Sequence, residues 1–126
     1  MKIIHLNSSN FLGGAARAAC RIHDALCSEN ISSRLWVDQK NNTDWTIEGP
    51  KSKIDKVVPK LKSQFIQNTI VKFSKAQNNN IQSPSILPSR WLKKITSSDA
   101  DIIHLHWIQD EMISIKDIGK IKKPII

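Results

Sequence analysis

The chain alternates short apolar runs with segments whose apolar residues recur every three or four positions. Lys2 to Leu6 is an apolar, β-branched run and predicts a buried strand. Asn7 to Leu12 is a polar turn with apolar residues at its end, and Gly13 and Gly14 open a segment with helical spacing. That helix is predicted from about Gly14 to Glu29. Ala15, Ala19, Ile22 and Leu26 form one stripe, widened by Ala18 and Ala25, while Arg17, Arg21, Asp24 and Ser28 take the opposite side. The small residues at 15, 16, 18 and 19 let a helix lie close to a sheet, and Asn30 supplies a C-terminal stop. Ser33 to Val37 predicts a second strand, ending at Asp38. A strand, a tightly packed helix and a second strand in about 37 residues make a βαβ unit, which builds parallel sheets.

Gln39 to Asp44 reads as a loop and Trp45 to Glu48 as a short edge strand ended by Gly49-Pro50. Between Lys51 and Lys75, Ile54, Val57, Val58, Leu61 and Phe65 keep helical spacing, and Ile66, Ile70, Val71 and Phe73 continue the apolar surface. One or two amphipathic helices are expected there, broken or kinked at Pro59. Ala76 to Pro88, with Asn78 to Asn80 and Pro84, reads as an irregular loop. Pro88-Ser89 starts a short helix through Ile95, with Trp91, Leu92 and Ile95 inward. Asp99-Ala-Asp101 leads tightly into a strand that ends at Trp107, and Ile113 to Ile121 resembles another short helix. Pro124 to Ile126 begins a further buried strand. A buried parallel strand seldom ends a domain at its third residue with no helix to cover the sheet, so a truncated domain is expected.

Composition narrows the class. The 126 residues fit one domain, and 40% apolar content allows a modest core. A net charge of +8 and a pI near 9.7 imply anionic company: nucleotide, nucleic acid or an acidic membrane face. Seven lysines face one acid, Asp55, between positions 51 and 75. They form either a solvated face over a core-packed helix or a surface turned to anionic lipid or an acceptor. No apolar run reaches the roughly 18 residues of a membrane span. One lysine and a brief apolar strand before Asn7 do not resemble a signal peptide. Cys20 and Cys27 lie about 10 Å apart along the first helix, too far for a disulfide, so reduced thiols and a cytosolic protein are expected.

The candidate chemistry gathers at predicted strand ends. A strand, a glycine turn and a helix N-terminus make an anion site, because free N–H groups and the helix dipole point to one place. Arg17 in the first turn would add a charged fork to a phosphate. The plainer alternative makes Gly13-Gly14 only a tight turn. Ligands of open parallel sheets sit at the carboxyl ends of the strands, which places Asn7, Ser8, Gly13 and Gly14 there. His5 lies near the end of the first strand, and His104 and His106 share one side of the strand from Asp101. If those strands are neighbours, three imidazoles converge on zinc or on a general-base role. No cysteine or carboxylate motif at metal spacing accompanies them, so no metal is expected and hydrogen-bonded histidines lining a cleft are the preferred reading. Trp107 is either a core residue or a stacking wall for a sugar or base. Asp38 ends the second strand where a ribose-binding acid would sit, but Gly-x-Gly-x-x-Gly is missing.

Three separated blocks carry a resemblance: residues 5–19 (His-Leu-Asn-Ser-Ser-Asn-Phe-Leu-Gly-Gly-Ala-Ala-Arg-Ala-Ala), Gly49-Pro50-Lys51-Ser52-Lys53, and residues 101–107 (Asp-Ile-Ile-His-Leu-His-Trp) followed by Lys-Lys-Pro-Ile-Ile. Together they resemble the N-terminal half of a bacterial family 4 glycosyltransferase, a retaining, nucleotide-sugar-dependent enzyme that builds surface polysaccharide. The resemblance implies an α/β fold, a Rossmann-like parallel sheet with flanking helices that forms the incomplete, acceptor-side N-terminal domain of a GT-B architecture over residues 1–126. It implies no cofactor, with a nucleotide-sugar donor and a glycan or lipid-linked acceptor as partners. Gly13, Gly14 and Arg17 match the loop that reaches the donor diphosphate, and Asn7, His104, His106 and Trp107 fall on the acceptor side. Lys51, Lys53, Lys56, Lys60 and Lys62 would give peripheral contact at the inner membrane face of a cytoplasmic enzyme. The Thr-x-His segment that follows Lys-Pro-Ile-Ile in similar enzymes is not in this sequence, nor is the C-terminal donor domain. Residues 1–126 alone are therefore expected not to transfer sugar. The alternative is a non-catalytic basic Rossmann-like module that binds nucleotide, nucleic acid or anionic lipid.

Overall fold

The computed structural model describes residues 1–50, 57, 61, 64, 88–108 and 111–126. The expected helices of Lys51–Lys75, the kink at Pro59, the loop from Ala76 and the membrane-facing lysines 51, 53, 56, 60 and 62 lie outside the described residues. Among those residues no helix is long and apolar enough to cross a membrane.

Strand β1 (Lys2–Ser9) is buried from Ile3 onward, as its apolar start dictates, and runs three residues past the expected end. Helix α1 (Gly13–Ser28) follows, then β2 (Ser32–Gln39) and the two-residue strand β3 (Ile47–Glu48). Helix α2 (Arg90–Ser97), strand β4 (Ile102–Leu105) and the short helix α3 (Ile115–Ile118) complete the order. The four strands form one sheet in the order β3-β2-β1-β4, with every pairing parallel. This is the expected α/β, Rossmann-like arrangement, with β1 at the centre. Residues 124–126 pair along the other edge of β4 through an isolated parallel bridge between Ile103 and Ile125.

Alternation along β1 sends successive side chains to opposite faces and thereby divides the core. Ile4 and Leu6, with Trp36 and Ile103, pack with Trp91 and Ile95 of α2 and with Met112, Ile113 and Ile121. On the other face Leu35, Val37 and Ile47 pack against Ala19 of α1. Burying each large apolar side chain contributes roughly 1.5–3 kcal/mol, so among the described residues the α2 face holds most of the apolar stabilisation. Polar joints fix its geometry. Ser89 caps α2 at the Trp91 N–H, and its own N–H donates to Asp117 Oδ2 at 2.8 Å. Asp117 also accepts from Lys120 at 2.8 Å, and these bonds hold its carboxyl below the usual range.

Two expectations are corrected. The inward face of α1 is Ala16, Ala19 and His23, whereas Ile22, Ala18 and Ala25 are exposed. The helix is turned by about one residue because His23 bonds across to the sheet: Nδ1 lies 2.7 Å from Ser33 Oγ and Nε2 2.9 Å from Thr46 Oγ1. The expected helix from Ile113 to Ile121 shortens to Ile115–Ile118, since Met112 and Ile113 are spent in the core and Ser114 caps the turn. Asn30 stops α1 as expected, with a left-handed φ of 58° that asparagine tolerates.

Candidate functional site

Among the described residues, the end of β1 organises the carboxyl end of the sheet. Ser9 Oγ accepts from the N–H groups of Phe11 and Leu12, at 3.1 Å each, and so bends the chain out of the strand. Asn10 braces the turn from β2: its N–H donates to Gln39 O at 3.2 Å and its side-chain oxygen accepts from the Asn41 N–H at 3.2 Å. Gly13 then takes a φ of +80°, a left-handed conformation that glycine adopts without strain. Gly13 and Gly14 are exposed, and a Cβ built on either meets no atom of the described residues within 4 Å. Leu12 at the N-cap offers no side-chain acceptor, and the first turn of α1 contains no acid. Its leading N–H groups and the positive end of a 16-residue helix therefore face outward, with exposed Arg17 one turn along.

The tip of β4 is clipped to the same end of β1. The Trp107 N–H donates to Asn7 Oδ1 at 2.8 Å, the Ser8 N–H to Trp107 O at 2.7 Å, and the His106 N–H to Leu6 O at 2.9 Å. Trp107 remains 51% exposed, so its ring is a wall at the sheet edge rather than a core residue. Asn7, expected on the acceptor side, is 1% exposed and both ends of its amide are engaged, with Nδ2 donating to Ser9 O at 2.5 Å. It holds the tip rather than presenting itself to a ligand.

His5 and His104 are register partners on β1 and β4. Their shared direction, with His106 two residues on, gathers three imidazoles on the face that α1 covers. His5 Nδ1 lies 3.0 Å from His106 Nε2, and the rings of His104 and His106 stack with centroids 4.0 Å apart. Burial, then repulsion from His106, His104 and His23, pushes His5 down to about 3. Burial, then His104, brings His106 to about 4, and burial also lowers His104. All three rings are neutral at neutral pH.

The structure thus brings Gly13, Gly14 and Arg17 onto one exposed corner and His104, His106 and Trp107 onto the neighbouring strand tip. Asp38 is engaged elsewhere: Arg90 Nη2 and Trp91 Nε1 each donate to its Oδ1 at 2.8 Å, so it anchors α2 rather than standing open for a ribose. Sequence reasoning missed His23. Its place four residues from Ala19 on the small-residue side of α1 was the available signal, but a polar side chain in that register looks like a surface residue.

Comparison of the chain with protein-family models, with curated proteins and with solved structures finds no match. What the fold and site define is a class: a parallel α/β sheet with an open, amide-rich corner at its carboxyl end.

Proposed function

We propose that residues 1–126 are the acceptor-side unit of a nucleotide-sugar-dependent glycosyltransferase for surface polysaccharide or lipid-linked glycan. The observation that carries this reading is the glycine corner: a left-handed Gly13 and an unobstructed Gly14 opening an uncapped helix where parallel sheets receive ligands. On this reading the amides of Gly13 and Gly14 hold charge that builds on the departing nucleoside diphosphate, which lowers the barrier by fixed dipoles that need no reorganisation. Arg17 adds a forked contact to a phosphate oxygen. Trp107 gives a sugar ring a flat apolar wall, and the neutral imidazoles of His104 and His106 offer hydrogen bonds to hydroxyl groups. On this reading the sugar is carried by a second, donor-side wall. The enzyme works in the cytoplasm, at the inner membrane face where lysines 51, 53, 56, 60 and 62 meet anionic lipid.

Ligand-observed NMR with nucleoside diphosphates and lipid-linked glycans, on the wild-type chain and on Gly14→Glu, tests the reading. Space beside Gly14 admits a side chain, and an acid in a first helical turn is electrostatically favourable, so the variant folds. Nucleotide contact in the wild type that disappears in Gly14→Glu supports the proposal. Salt-sensitive binding of DNA without nucleotide contact would replace it with a basic anion-binding module.

A further inference from the structure

We infer that His5, His104 and His106 form a binding site for a divalent transition-metal ion of the zinc class, with its fourth position open. Each imidazole offers one nitrogen, and the three nitrogens lie within 4.8 Å of one another. An ion with bonds of about 2.0–2.1 Å at tetrahedral angles holds its nitrogens roughly 3.3 Å apart. His5 Nδ1 and His106 Nε2, 3.0 Å apart, are already near that spacing. Drawing in the remaining nitrogen takes a shift of roughly 1.5 Å or less, within reach of the half-buried rings of His104 and His106.

A second observation points the same way. His5 is 0% exposed, and its Nε2 has no hydrogen-bond partner among the described residues. That nitrogen is not the one 3.0 Å from His106, so the ring is held through Nδ1 alone, and a finished hydrogen-bond network would not leave a buried imidazole nitrogen unpaired. The contrast with His23 is direct, since both nitrogens of that ring are matched to hydroxyl groups.

The donor set selects the ion. Three neutral imidazoles and no carboxylate suit Zn2+, Co2+, Ni2+ or Cu2+ and do not suit Mg2+ or Ca2+, which prefer oxygen. Rings kept neutral by burial offer their lone pairs without first releasing a proton. Because two ligands come from β4 and its tip and one from β1, the ion would also tie the two strands together. Three protein ligands leave a position for water, on the side where His104 and His106 are partly accessible. This site shares His104 and His106 with the sugar-transfer reading but does not rest on it: nucleotide contact at Gly14 can fail while metal binding holds.

The experiment titrates the tag-free, chelator-treated chain with Zn2+ by calorimetry and with Co2+ by visible absorption. One ion per chain is expected, with the d–d band of nitrogen-ligated tetrahedral Co2+. His104→Gln and His106→Gln should each weaken binding at least about tenfold, a loss that even outer partners of a metal site produce. Cys20→Ser and Cys27→Ser should leave it unchanged. Imidazole nitrogen NMR on the wild-type chain guards against variants that do not fold: Zn2+ must move the signals of His5, His104 and His106 and leave those of His23. No stoichiometric binding, binding that survives both histidine variants, or binding lost with a cysteine would overturn the proposal.

Discussion

Asn7 is the joint between the two strands whose tips make the candidate site, and Asn7→Ala removes it. The side chain is 1% exposed, accepts from the Trp107 N–H at 2.8 Å and donates to Ser9 O at 2.5 Å. Ser9 is 2% exposed, so water cannot replace the lost donor and its carbonyl bears the penalty of a buried unpaired group, about 1–3 kcal/mol. Trp107 is half exposed, so its N–H regains water and loses only about 1 kcal/mol. Together the substitution should cost about 2–4 kcal/mol. For a chain of this length that lowers the melting temperature by roughly 6–20 °C, at roughly 3–5 °C per kcal/mol. Asn7→Asp separates the two bonds. A carboxylate still accepts from Trp107 but sets an anion against the Ser9 carbonyl, which raises its folded-state pKa above the unfolded one. Protonation restores the donor, so this variant should recover stability, relative to wild type, as pH falls. Urea denaturation followed by tryptophan fluorescence, at neutral and acid pH, reads both effects. A midpoint for Asn7→Ala within about 0.5 kcal/mol of wild type, the range of ordinary surface substitutions, would refute the joint.

The metal-free wild type should lose stability on acidification. His5, His106, His104 and His23 all have folded pKa values lowered by burial, so below about pH 6.5 the unfolded chain takes up protons that the folded chain refuses. His5 alone gives about 1.4 kcal/mol per pH unit between 6 and 4, and the more accessible rings add less; a flat urea midpoint over that window would contradict the assignment. Gly49→Ala should destabilise by about 1–3 kcal/mol in thermal melts, because its Cβ would meet Lys40 Cβ at 2.6 Å. Gly13→Ala should cost about 1–3 kcal/mol through its φ of +80°, while Gly14→Ala, in helical backbone with open space, should cost almost nothing in the same melts. Asp117→Asn should lose about 1–3 kcal/mol in urea titrations, since the Ser89 N–H and Lys120 lose a charged acceptor.

The parallel α/β arrangement was legible because two signals agree at each step. The apolar run at Lys2–Leu6 and the small-residue helix after Gly13 leave few other ways to bury both. The strand from Asp101 and the helix start at Pro88-Ser89 were likewise legible from local chemistry. What stayed hidden depends on contacts distant in sequence. The rotation of α1 follows from His23 reaching Ser33 and Thr46, and no helical periodicity contains that information. The inward turn of Asn7 depends on Trp107, one hundred residues away. The meeting of His5 with His104 and His106 required β4 to pair with β1 rather than with β2, a choice that strand patterns alone leave open. The short α3 reflects a core that claimed the residues expected to begin it.

If the carboxyl end of the sheet is the working edge, an amide-resolved NMR titration with a nucleoside diphosphate should show it. The largest shifts are expected at Gly13, Gly14 and Ala15 and at the Trp107 indole, with little change at Lys2, Ser32 and Ile102 on the opposite edge. No shift at the glycines, or shifts centred on that opposite edge, would contradict it.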